Sequence, residues 1–222
     1  MLTADWSRVL DDVLRPRIDS PAARWLDDQR GRLRAGHGRP ALLEAFTAAA
    51  RKVGQAPLAP APHEQSLAVA IDPELSLAHW TVADAARARL LLEAVDPALI
   101  LAAYEEGDSP EQQSWLRALP LLPAAERYLA AAIDSCRTNI LPQFEALACE
   151  NPYPARHFPD LNFNQLVLKA LFNGIAVARI TGLERRLNSE LSRMAGDYAS
   201  ERRAAGRPVP ADIGAVIQGA PR

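Results

Sequence analysis

Lysine, cysteine and methionine each occur only twice in this chain of 222 residues, and the scarcities narrow what it can be. Cys136 and Cys149 are too few for a disulfide framework or a zinc site, which points to a reducing compartment. They lie 13 positions apart, so a single bridge across two packed helices stays open. Arginine supplies all but two of the 25 basic residues, the exceptions being Lys52 and Lys169. A net charge of -2 and a pI near 6.1 give no basic excess, so nucleic acid is not an expected partner. No apolar run approaches the roughly 20 residues that a membrane-spanning helix needs. Met1 to Leu14 is acidic and amphipathic, without the basic start and apolar core of an export signal. A cytoplasmic protein with no membrane span is expected.

Catalytic signatures are missing as well. The sequence holds no His-Glu-x-x-His, Gly-x-x-x-x-Gly-Lys, Gly-x-Gly-x-x-Gly or Gly-x-Ser-x-Gly. His37, His63, His79 and His157 are scattered, and none pairs at helical spacing with a second ligand type in one helical run. No metal, cofactor or catalytic residue is assigned on this basis.

What the sequence does contain is helix after helix. Trp6, Val9, Leu10, Val13 and Leu14 follow the i, i+3, i+4, i+7 rule, and Pro16 ends that run. Ser20-Pro21 starts a second helix with Trp25, Leu26 and Leu33 inward, and Pro40 a third that closes at Gly54. Residues 56–63 are proline-rich and read as an extended linker; Leu67 to Ile71 is a short apolar stretch, a strand or a loop or helix end. Thr81, Asp96-Pro97, Ser109-Pro110, Pro123 and Leu141-Pro142 each open a further helix, the first reaching Val95. An unbroken apolar helix is expected over 161–178, then a long one with the seam Leu183, Leu187, Leu191, Met194 and Tyr198. The expected fold is all-α, an irregular stack of antiparallel helix pairs, either a HEAT-like α-solenoid or a compact bundle. Its parts are N-terminal helices at 1–55, a linker at 56–75, a helical-repeat-like domain at 76–206 and an extended tail at 207–222.

One segment stands apart in its polar residues. Asn162, Gln165, Lys169 and Asn173 are spaced by 3, 4 and 4, within roughly 80° on one helix face. Such a stripe is either the solvent edge of a mostly buried helix or a partly buried polar site. Elsewhere the exposed faces carry Arg, Asp and Glu, so two Asn, a Gln and a rare Lys suit a hydrogen-bonded network or an anionic ligand. Arg202 and Arg203 would add an anion clamp if they faced Lys169. Tyr153, between two prolines, and His157, before Phe158-Pro159, complete the candidate ligand-binding set. The other charges after Glu184 read as a solvated, ion-paired face.

Glu150-Asn151-Pro152-Tyr153-Pro154, then His157-Phe158-Pro159 and Phe163 to Ala170, together resemble the C-terminal hallmark of the EboA-domain family. Glu201 to Arg207 is similar to that family's closing motif. The resemblance implies a bacterial protein from a small gene cluster. Its neighbours there resemble a prenyltransferase, a sugar-isomerase-like barrel, a metal-dependent hydrolase and a dehydroquinate-synthase-like enzyme. Such company implies synthesis or export of a secondary metabolite, with a lipid-linked one among the options. The leading expectation is a non-catalytic helical partner or scaffold that meets proteins of the same cluster. The alternative is a binder or enzyme acting on an anionic or lipid-linked metabolite through the stripe around Lys169.

Overall fold

A computed structural model describes residues 2–94 and 96–218 of the chain. Among them are fourteen α-helices and no strand, only an isolated antiparallel bridge between Pro57 and Thr81. None of these helices is long and apolar enough to cross a membrane. The all-α expectation holds. The chain folds as two compact units, Met1–Ala132 and Ile133–Arg222.

The first unit contains α1 (Leu2–Leu14), α2 (Ser20–Arg34), α3 (Gly38–Val53), α4 (Pro62–Ile71), α5 (Val82–Leu91), α6 (Pro97–Glu105) and α7 (Ser109–Ala118). Side-chain caps set several starts. Asp19, one residue before the expected Ser20, accepts the Ala22 amide at 2.8 Å. Thr81 and Asp84 cap each other's amides reciprocally, as do Asp108 and Glu111. Helix α5 ends at Leu91, short of Val95, which lies outside the described residues.

All ten residues of α5 are buried, and α1, α2, α3 and α7 pack around it. Charged groups survive there only because each has partners. Arg87 donates to the carbonyl of Phe46 at 3.0 Å and to Ser114 Oγ at 3.1 Å, and Ser114 donates to Asp84 at 2.6 Å. Burial pulls the Arg87 pKa down, and Glu111 and Asp84 oppose that pull. Arg89 reaches Asp11 at 2.9 Å.

The proline-rich stretch expected to be an extended linker is instead fastened to α1. Arg17 forms a two-pronged ion pair with buried Glu64, at 2.8 and 2.6 Å, and donates to the carbonyls of Leu58 and Ala59. This guanidinium holds the Glu64 carboxyl below its usual range. Leu67 to Ile71 belongs to α4, which packs on α1.

Helix α8 (Leu129–Ser135) spans the division between the units. The second unit continues with α9 (Leu141–Ala148), α10 (Tyr153–His157), α11 (Asp160–Phe172), α12 (Leu183–Arg186), α13 (Ser189–Ala204) and α14 (Ile213–Gln218). The helix expected over 161–178 stops at Phe172, where Asn173 and Gly174 (φ +70°) end it before a 3-10 turn, Val177–Arg179. The expected seam also breaks: Leu187 is extended, and Asn188 caps α13 by accepting the Leu191 amide at 2.8 Å. Part of the expected extended tail is helical, for α14 packs on α13 through buried Ile213 and Val216; residues 219–222 lie outside the described residues.

Removing Arg87 leaves Glu111 and the Phe46 carbonyl buried without their cation, and Asp84 with Arg117 alone, at 3.6 Å. Arg87→Ala should lower the unfolding free energy in urea by about 3–5 kcal/mol, the range for breaking a buried charge cluster. A loss below about 1 kcal/mol would show that the cluster is not desolvated as described.

Candidate functional site

The outer side of α11 holds the polar stripe, and the structure divides it. Asn162, Gln165 and Lys169 converge on one recess of about 120 Å³, beside Cys136, Arg137 and Phe158. That is well below the roughly 300–1,000 Å³ of small-molecule pockets. Asn173 lies beyond the helix end and donates to the carbonyl of Lys169 at 2.8 Å, so it caps its own helix.

Lys169 is half-buried and engaged. Its ammonium donates to the carbonyls of Cys136 and Thr138, just past the C-terminus of α8, and sits 5.1 Å from the centre of the Phe144 ring. An ammonium has three N–H donors, so two carbonyls and an aromatic face use most of its capacity. The rare lysine therefore fastens the chain after α8 to α11. Cys136 and Cys149 form no disulfide, and burial pushes each thiol up to about 12. Lys169 draws Cys136 the other way, less strongly.

The arginines expected opposite Lys169 lie elsewhere. Arg202 donates to the Pro208 carbonyl at 2.9 Å and lines a separate recess of about 240 Å³ with Phe172, Tyr198, Glu201 and Arg207. Arg203 is exposed and lines neither recess. Tyr153 is fully buried, its ring 4.6 Å from that of exposed His157 and 6.4 Å from Phe158. Neither Tyr153 nor His157 lines the Lys169 recess, whereas Phe158, against which the Tyr153 ring packs, does.

Residues between 150 and 188, from the first motif block and the chain after it, build the frame that carries these side chains. Glu150 takes a left-handed backbone (φ +51°), where a non-glycine residue costs roughly 1–2 kcal/mol. Arg179 grips its carboxylate at 2.8 and 3.0 Å, and the Glu150 amide donates to the Arg179 carbonyl. Asn151, 2% exposed, donates to Ala146 at the end of α9 and accepts the Tyr153 amide at the start of α10. One side chain thus closes one helix and opens the next. Asn164 and Asn188 exchange a reciprocal pair of amide hydrogen bonds at 3.2 and 3.1 Å, joining α11 to the start of α13. Gly182 (φ +73°) makes the turn before α12, where a Cβ would stand 2.8 Å from that of Ala155.

A protein-family profile described as "Metabolite traffic protein EboA" matches residues 6–218. The chain belongs to the EboA family. No curated protein and no solved structure matches it. Membership of the EboA family links the chain to metabolite traffic, and the match extends through both units, well beyond the C-terminal motifs.

Sequence reasoning missed two features. Arg186 looked like one more member of a solvated charge run, yet its partners lie 26 to 31 residues away. A wider recess lined by residues between 177 and 215 was also missed. Its faint signal was Asp212 followed by Ile213, Val216 and Ile217, apolar at i, i+3 and i+4 after a capping residue type.

Lys169→Ala should destabilise the protein by about 1–3 kcal/mol in urea unfolding, because two carbonyls lose a charged donor. An unchanged midpoint would show that Lys169 is not a structural tie.

Proposed function

We propose that this EboA-family protein is a non-catalytic helical partner in metabolite traffic, docking a protein of the same gene cluster on the outer face of α11. One observation carries this reading. Leu161 is 60% exposed and Phe172 57% exposed, and the step of 11 positions from one to the other, about three helical turns, puts both on one side of the helix. Gln165 is exposed on the same side. Phe172 meets Tyr198 edge-on at 4.3 Å, with Arg202 and Arg207 at the margin. Aromatic rings and arginines are the residue types enriched where protein interfaces concentrate their binding energy.

The alternative places an anionic metabolite beside Lys169. In its favour, Asn162, Gln165 and Lys169 do share one concavity. Against it stand the small volume and the ammonium's existing carbonyl partners. The docking reading asks for no rearrangement of this kind.

Tagged protein should co-purify with at least one protein encoded in its cluster, and Phe172→Asp or Leu161→Asp should reduce that capture at least tenfold with an unchanged melting temperature. Recovery of no cluster-encoded protein by the unaltered chain, or equal capture by both variants, would contradict the proposal.

A further inference from the structure

A recess of about 820 Å³ opens in the unit Ile133–Arg222, away from the residues assigned to docking. The turn Val177–Arg179 and helix α12 line one side, and Asp212 and Ala215, at the start of α14, line the other. Its apolar lining includes buried Val177, Ile180 and Leu183 and half-buried Leu187. Ala178 and Ala215, both exposed, form small-residue walls.

The polar groups are few. Thr181, Glu184, Arg185 and Asp212 contribute them. One carboxylate oxygen of Asp212 accepts the Val177 amide at 2.7 Å, which fixes the group at the rim and leaves its other oxygen for a ligand. Two carboxylates against one guanidinium give the lining a formal charge of -1, which disfavours an anion. The volume falls within the range of small-molecule sites, and an apolar lining with a few placed polar groups is their usual composition.

We infer that this recess binds a small, mainly hydrocarbon molecule carrying one hydrogen-bond donor, a hydroxyl or an ammonium, that meets Asp212. The hydrocarbon part covers Val177, Ile180, Leu183 and Leu187, and the donor end faces the carboxylate. The site shares no residue with the face of α11 proposed for docking, so either can fail without the other.

The probe is Nile red, an uncharged apolar dye, titrated into the full chain and followed by fluorescence. Saturable binding of one dye per chain is expected. Ala178→Trp and Ala215→Trp, each filling the recess from an exposed wall, should weaken binding at least tenfold while circular-dichroism melting stays unchanged. Decanol or decylamine should displace the dye at least fivefold more effectively than decanoate, and Asp212→Asn should shrink that preference. Which of the two displaces better tells a hydroxyl from an ammonium ligand. The inference falls if the unaltered chain shows no saturable binding, if both tryptophan variants bind the dye equally well, or if decanoate competes as well as the others.

Discussion

The guanidinium of Arg186 donates to the carbonyls of Ala155 and Phe158, at 2.6 and 2.7 Å, and to Asp160 Oδ1 at 2.8 Å. It also lies 4.7 Å from the centre of the Phe163 ring. These contacts join the end of α10, the start of α11 and α12. Most of the candidate site in the second unit depends on them, because α11 carries Leu161, Asn162, Gln165, Lys169 and Phe172. A planar fork with five donors suits the task, since it reaches three acceptors at once while stacking on a ring. Lysine, with a single nitrogen, could not reproduce that geometry.

Around this contact polar residues of the first motif block and of the chain after it act largely as ties. Arg179 secures the left-handed Glu150, Asn151 bridges α9 and α10, and Asn164 pairs with Asn188. Lys169 joins them by holding two carbonyls past α8. Buried amides and charges are costly unless every partner is present, so a frame of this kind fixes one arrangement of short helices. Such a frame also holds apolar groups where a partner or ligand can meet them: Leu161 and Phe172 exposed on α11, and the recess floored by Val177, Ile180 and Leu183.

The helices were legible because their signals are local. Thr81, Asp96 with Pro97, and the spacing from Trp6 to Leu14 act within a few residues, and each marks an observed helix, although α5 stops at Leu91. Long-range pairing was not legible. The stretch at 56–63 has the composition of a linker, and distant partners, Arg17 on the Leu58 carbonyl and the bridge from Pro57 to Thr81, make it part of the first unit. Spacing put Asn162, Gln165, Lys169 and Asn173 on one face, yet the ammonium's two carbonyl partners decided what Lys169 does. Arg202 and Lys169 share a charge sign and a segment of sequence, but different recesses hold them.

Amide hydrogen exchange on Arg186→Met tests this role of the guanidinium most directly. Amides of Tyr153–His157 and Asp160–Phe172 should lose at least tenfold in protection, because α10 and α11 lose their common donor. Protection retained in both helices would contradict the dependence of the α11 surface on Arg186.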